Sequence, residues 1–286
     1  MYDAIVIGAG PAGISASLYL KRANKNVLVL YHGESQLEKA HKIDNFYGFA
    51  GGISGKDLYQ NGINQAKALG IEVMDKEVLS IQMNENMEYN VKTNDILYSS
   101  KVIILATGNK KLKPNINGID KFEGAGISYC AICDGFFYRK KPVVVIGNGP
   151  YAISEAEELL NVTSDVKILT NGLPLEEKTD IFVDTRKISE ILGDARVSGI
   201  LFEDGEAIDT KGVFIALGEA GGADFAKKLG IMMENDTIIV DSDMKTNIPG
   251  VYACGNLVGG LLQINKAAYE GAKAGLDAIK YINEKR

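Results

Sequence analysis

The chain has 286 residues, 46% of them apolar, and a formal net charge of −6. That length suits about two domains with a sizeable core, and an acidic balance without a long basic run argues against nucleic acid as the main partner. No apolar run approaches the length of a membrane span, and three cysteines in a chain this long do not make a disulfide framework. No basic region or small-residue cleavage site precedes the apolar stretch Tyr2–Ile7, so a cytoplasmic protein is expected.

In chain order, the pattern strand, glycine-rich turn, helix, strand occurs twice. The first copy is Tyr2–Ile7, the turn Gly8–Gly13, a helix to about Ala23, and Val27–Leu30. The second is Val143–Ile146, the turn Gly147–Ala152, a helix to about Leu160, and Val166–Leu169. Apolar runs follow each copy, Val102–Thr107 ending in Ala-Thr-Gly and Gly212–Leu217 ending in Ala-Leu-Gly. A helix is expected from about Asn265 to Asn283, and hinges at Lys111–Asn115 and Asp241–Asn247. The pattern predicts an α/β protein of two Rossmann-like, three-layer domains with largely parallel sheets.

Gly8-x-Gly10-x-x-Gly13 follows a strand and opens a helix. Such glycines permit a tight turn, close approach of a pyrophosphate, and close helix–strand packing. Pro11 suits the first helical turn, and the helix N-terminus faces the phosphates. Glu34 is a candidate for a ribose hydroxyl, although Tyr31 stands at the strand end where an acid often sits.

The sharpest feature is Tyr129-Cys130-Ala131-Ile132-Cys133-Asp134-Gly135. Two residues between cysteines allow a disulfide that is easily made and broken, and one thiol of such a pair commonly ionises early. Asp134 is placed to carry a proton to or from a thiol. No metal is expected: a structural zinc site needs four ligands, and only Cys254, His32 and His41 remain. Cys254 reads as a core residue on a buried strand.

Taken together, the two glycine motifs, Ala-Thr-Gly at 106–108, Cys130–Arg139, and Gly-Val-Tyr-Ala-Cys-Gly-Asn at 250–256 resemble the low-molecular-weight thioredoxin reductases over nearly the whole chain. The resemblance implies an FAD-binding domain of residues 1–112 and 242–286. It implies an inserted NAD(P)-binding-like domain, 113–241, carrying the redox cysteines, and a homodimer. It assigns FAD to Gly8, Gly10, Pro11, Ala12 and Gly13, to Gln36 and Leu37, to Asn45, to Ala106, Thr107 and Gly108, and to Gly255, Asn256, Gln263 and Ile264. Asn256 stands in place of the family's aspartate and still offers a neutral hydrogen-bonding amide. Cys133 is expected nearer the flavin.

The second glycine motif departs from NADPH-using members. Leu169-Thr170-Asn171-Gly172-Leu173-Pro174 has neither the arginines that hold a 2′-phosphate nor an acid for a ribose. Glu219 would repel a dinucleotide phosphate, and Tyr151 would put bulk beside the turn. These features resemble the ferredoxin-dependent flavin thioredoxin reductases, which implies ferredoxin as donor and thioredoxin as acceptor. Lys110, Lys111 and Lys113, or Arg139, Lys140 and Lys141, are candidate docking cations. The alternatives are an NAD(P)H-dependent thioredoxin reductase, a dithiol oxidase using oxygen, and a flavin-bound redox sensor without turnover.

Overall fold

A computed structural model describes residues 1–108, 114–234 and 237–285. Its contacts divide the chain into two compact units, Met1–Lys110 with Gly221–Arg286, and Lys111–Ala220.

The first unit is built on a seven-stranded sheet. Strand Tyr2–Ile7 lies between Val27–Tyr31 and Leu97–Leu105, with Ala4 opposite Val27 on one side and Val102 on the other. Both pairings are parallel, and Val251–Ala253 adds a further parallel strand beside Ile103–Leu105. Ala4, Val6, Val27, Val29, Val102 and Ile104 join the core cluster that includes the helix residues, and Ile5, Leu28, Leu30, Ile103 and Leu105 on the opposite face are also fully buried. Burial on both faces is why these strands read as continuous apolar runs. Strands Val78–Met83 and Tyr89–Thr93 pair antiparallel with one another, and the latter with the start of Leu97–Leu105.

Helix Pro11–Arg22 packs along the C-terminal helix Ile264–Glu284 at unusually short range. A Cβ at Gly271 would stand 2.0 Å from the Ala12 carbonyl oxygen, and one at Gly275 would stand 2.7 Å from that of Ala16. Ser15 Oγ donates to the Ala268 carbonyl at 2.6 Å across the same seam. The close contact brings the turn after Val251–Ala253 against the first helix: a Cβ at Gly255 would lie 3.1 Å from that of Ala12.

The second unit has a five-stranded, all-parallel sheet in the order Phe182–Asp184, Val166–Leu169, Val143–Ile146, Gly212–Ile215, Ile127–Ser128. Helix Pro150–Leu160 connects the second and third of these in space, and a three-stranded antiparallel sheet (Ile188–Gly193, Val197–Phe202, Ala207–Asp209) stands beside them. Its core cluster joins Val144, Ile146 and Val213 to Phe122, Ile200 and Phe202.

The α/β reading and the two strand–turn–helix copies agree with the structure. The return to the first unit falls at Ala220/Gly221, earlier than the expected boundary. Helix Gly222–Leu229 and Asp241–Asn247 therefore fold with the first unit. Within Asp241–Asn247, Lys245 Nζ pairs with Asp277 at 3.0 Å, and Asn247 Oδ1 accepts the Met232 N–H at 2.8 Å. Residues 111–113 of the other expected hinge, and Lys110, Lys111 and Lys113, lie outside the described residues. Cys254 is fully buried as expected, but it follows the strand Val251–Ala253 and precedes a single 3-10 turn.

Replacing Gly271 by Val forces a side chain onto the Ala12 carbonyl and should destabilise the protein by roughly 1–3 kcal/mol or more. Gly62→Ala, in helix Gly55–Ala68, meets only Ile14 at 3.7 Å. It should be neutral or stabilising by about 0.5–1 kcal/mol. Thermal unfolding of the two purified variants compares these outcomes directly.

Candidate functional site

In the first unit the expected FAD ligands converge on the C-terminal ends of the parallel strands. Gly8 has φ +112° and packs against the crossing strand, where a Cβ would stand 2.4 Å from the Ala106 carbonyl oxygen. A Cβ at Gly13 would stand 1.9 Å from Gly8 O. Gly10 differs: its Cβ position meets no protein atom within 4 Å. Gly10 is also the N-cap of helix Pro11–Arg22, has no side-chain cap, and is followed by proline at the first helical position. An open cradle at an uncapped helix start is what a pyrophosphate needs.

Other expected ligands meet here. Asn45 Nδ2 donates to Gln263 Oε1 at 3.2 Å, and Gln263 is the residue from which the C-terminal helix starts at Ile264. Thr107 Oγ1 accepts the Gly222 N–H at 2.9 Å, which ties Ala106-Thr107-Gly108 to the start of helix Gly222–Leu229. Gly255 is buried and opens the turn Gly255–Val258, with Asn256 half-buried in it. Gln36 and Leu37 open a 3-10 turn capped by Ser35, whose Oγ accepts the Leu37 N–H at 3.2 Å. Leu37 packs on the core. Glu34 is exposed directly after Gly33. At the same strand end His32 Nδ1 lies 2.7 Å from Asp75 Oδ1, a pair that the sequence reading did not single out. These residues fit FAD: the open Gly10 cradle and the uncapped helix would receive its phosphates, and the amides of Asn45, Asn256 and Gln263 would offer it hydrogen bonds.

In the second unit Cys130 and Cys133 form a disulfide. Cys130 caps the one-turn helix Ala131–Asp134, and the Cys133 N–H donates to its Sγ at 3.2 Å. Cys130 is buried and Cys133 exposed. Ser128 Oγ donates to Asp134 Oδ2 at 2.6 Å and accepts the Cys130 N–H at 3.1 Å, so one hydroxyl links the aspartate to the cysteine backbone. The Ala131 N–H donates to Glu155 Oε2 at 2.8 Å, and Glu155 is 1% exposed. Tyr138 closes the next turn with an edge contact to Phe214, ring centroids 5.4 Å apart. Burial, then the Asp134 carboxylate, push its hydroxyl pKa up, and Arg196 acts in the opposite sense. Phe136 and Phe137, between the cysteines and Tyr138, are mostly exposed.

Ser128 and Glu155 escaped the sequence reading. Glu155 left one signal, a single carboxylate on the buried stripe of helix Pro150–Leu160. Cys254 is a fully buried thiol whose pKa burial pushes well above the ordinary value. Among the described residues no group of three or more His, Cys, Asp and Glu could hold a metal ion. No helix among them is long and apolar enough to cross a membrane.

The second glycine turn repeats the first with a different occupant. Gly147 packs against the next strand, its Cβ position 2.0 Å from Ala216 O. At Gly149, the counterpart of Gly10, a Cβ would stand 3.0 Å from Glu176 Oε2. The segment carrying Glu176 is fastened there. The Glu176 N–H donates to Asn148 O at 2.9 Å, and Asn148 Nδ2 donates to Pro174 O and Glu176 Oε1, each at 3.2 Å. The acid on this turn is thus Glu176; of the segment where Glu219 was expected to act, Gly218 O reaches 3.8 Å from the same position. Tyr151 is buried, and its bulk is absorbed by the interior.

Gly10→Ala keeps an allowed backbone, φ −71° and ψ 179°. It should lower stability by no more than about 1 kcal/mol. FAD affinity should fall by roughly tenfold or more, because a methyl group intrudes where a pyrophosphate approaches. Titration of the apoprotein with FAD checks this; unchanged affinity would remove Gly10 from the phosphate cradle.

The sequence profile of the pyridine nucleotide-disulphide oxidoreductases matches residues 2–271. A thioredoxin reductase of Aquifex aeolicus is 34% identical over 306 residues, which cover 100% of this chain and 95% of that protein. Among solved structures, the atypical thioredoxin reductase TRi from Desulfovibrio vulgaris Hildenborough superposes with a TM-score of 0.94 at 39% identity, covering 100% of this chain and 99% of its own. A ferredoxin-flavin thioredoxin reductase from Clostridium acetobutylicum superposes with a TM-score of 0.73 at 30% identity, covering 99% and 98%. With full-length coverage, a matching disulfide-bearing fold and a cradle suited to FAD, the chain belongs to the pyridine nucleotide-disulphide oxidoreductase family, in its thioredoxin reductase group, and FAD is its cofactor.

Proposed function

We propose that this protein reduces thioredoxin through FAD and the Cys130–Cys133 pair, with reduced ferredoxin as electron donor. The observation that carries the choice of donor is the contrast between the two glycine turns. Gly10 is open, while Gly149 has a carboxylate and its supporting segment fastened against it. A carboxylate beside a helix start disfavours a second anion such as a nicotinamide dinucleotide. Likeness to a ferredoxin-flavin thioredoxin reductase supports the same reading.

The direction of electron flow is favourable. A ferredoxin near −400 mV and a thioredoxin near −270 mV differ by roughly 130 mV, about 6 kcal/mol for two electrons. When bound, FAD supplies the exchange between single-electron and paired-electron transfer. The Cys130–Cys133 disulfide takes up two electrons and two protons to become a dithiol. Asp134, which accepts a hydrogen bond from Ser128, is the residue proposed to relay one of those protons to or from a thiol. One cysteine thiolate then attacks the thioredoxin disulfide, forming a mixed disulfide and releasing one thioredoxin thiol. The second cysteine attacks that mixed disulfide, restoring Cys130–Cys133 and releasing the other thiol. The exposed pair Phe136 and Phe137 offers apolar surface beside this chemistry.

Arg139, Lys140 and Lys141 are exposed and remain the docking candidates for an acidic ferredoxin, with the Arg139 guanidinium 4.8 Å from the Phe136 ring centroid. A cytoplasmic homodimer belongs to the same reading. Exposed apolar side chains of the first unit, Tyr47 and Leu261 among them, leave surface that a second copy would cover.

Anaerobic mixing tests the donor. The flavin band should persist with NADPH or NADH and bleach with reduced ferredoxin, followed by thiol formation on thioredoxin. Rapid bleaching by either nucleotide would replace this reading with an NAD(P)H-dependent reductase, and fast oxygen uptake with small dithiols would replace it with a dithiol oxidase. Cys130→Ser and Cys133→Ser should each abolish turnover while leaving the flavin band.

Asp134→Asn should slow single-turnover disulfide reduction by about 10²-fold or more if it relays the proton. Ser128→Ala should slow it by roughly tenfold, the value of one hydrogen bond to a charged group. Equal rates in parent and Asp134→Asn across the pH range would exclude the relay.

A further inference from the structure

The C-terminal helix turns two charged side chains inward one turn apart. Lys266 Nζ donates to Gly255 O at 3.0 Å and to Gly259 O, and pairs with Glu270 Oε2 at 3.0 Å. Glu270 Oε2 in turn accepts the Gly255 N–H at 2.9 Å. The three hydrogens of one ammonium thus have three acceptors, and the pair grips Gly255 by both its N–H and its carbonyl. Gly255 and Gly259 have φ +76° and +68°. The turn they bound carries Asn256 and presses on Ala12 of the first helix, where the Gly255 Cβ position is 3.1 Å from the alanine Cβ.

An ion pair is an expensive way to fill this place. Glu270 is buried, and the two side chains are 17% and 10% exposed. Desolvating two charges offsets much of their attraction, and an apolar pair of similar volume would often serve stability as well. What an apolar pair lacks is directed donors and an acceptor that hold a left-handed glycine turn in one conformation. The rest of the helix already provides packing through Gly271 and Gly275. The charges act on the turn.

We propose that Lys266 and Glu270 are positioning residues that clamp the turn Gly255–Gly259 in its FAD-holding shape and thereby set FAD affinity and the environment of the bound flavin. This rests on reading Gly255 and Asn256 as FAD contacts.

The test is FAD titration of the apoproteins of Lys266→Met, Lys266→Arg, Lys266→Met/Glu270→Gln and Asn256→Ala, with thermal unfolding of each apoprotein and visible spectra of each FAD complex. Lys266→Met leaves a buried carboxylate without its cation, so its apoprotein should melt lower; the double variant should recover that loss. Both should bind FAD roughly tenfold more weakly or worse, with shifted flavin maxima, and Lys266→Arg should restore much of each. Parental FAD affinity and spectrum in the double variant, alongside weakened binding in Asn256→Ala, would overturn the clamp alone. Parental affinity in Asn256→Ala would overturn the reading of the turn as an FAD contact, and the clamp with it. If Lys266→Met does not fold, the double variant and Lys266→Arg carry the same comparison.

Discussion

Close approach of backbone to backbone, possible only where no Cβ intervenes, is the constraint on which the rest of this structure depends. The carbonyl of Ala12 stands 2.0 Å from where a Gly271 Cβ would be, and that of Gly8 stands 1.9 Å from where a Gly13 Cβ would be. These contacts let the first helix lie on the C-terminal helix and against the first strand. The consequence is chemical as well as mechanical. They bring the uncapped N-terminus of one helix beside the Gly255 turn at the foot of the other, so that residues from both ends of the chain proposed to hold FAD lie together.

The two glycine turns show how little local geometry says about occupancy. Each follows a parallel strand, each ends in a glycine N-cap, and each helix begins with proline. At the first turn the space above the N-cap is open; at the second it is taken by Glu176. That carboxylate accepts from Asn148 Nδ2, whereas no protein atom lies within 4 Å of the matching position at Gly10. The two copies thus share a backbone plan and differ in what stands next to the N-cap glycine, open space at Gly10 and the Glu176 side chain at Gly149.

Around those cysteines, polar contacts are arranged in a short sequence of steps. Asp134 is held by Ser128, Ser128 by the Cys130 backbone, and Ala131 by the buried Glu155. A carboxyl group buried this deeply needs hydrogen-bond partners, and the Ala131 N–H of the motif is one of them. Disulfide exchange requires that sulfur atoms move and protons leave or arrive. A scaffold that fixes the backbone of the motif and leaves Cys133 exposed fits both needs.

Much of this was legible in the sequence. The strand–turn–helix copies, Tyr2–Ile7 with its helix and Val143–Ile146 with its helix, followed from apolar runs and glycine spacing, because parallel strands buried on both faces leave that local signature. The Cys130–Cys133 pair and the family resemblance were local too. Tertiary structure alone decided the rest. Asn45 meets Gln263 across a separation of 218 residues, Glu155 reaches Ala131, Glu176 covers Gly149, and Lys266 with Glu270 grips Gly255. It also groups Gly222–Leu229 with the first unit, whereas the family resemblance implies an inserted domain reaching residue 241. The physical reason is common to all of these. Spacing along a chain fixes periodicity and turns, whereas a carboxylate's partner or a turn's occupant is set by segments that only folding brings within hydrogen-bond distance.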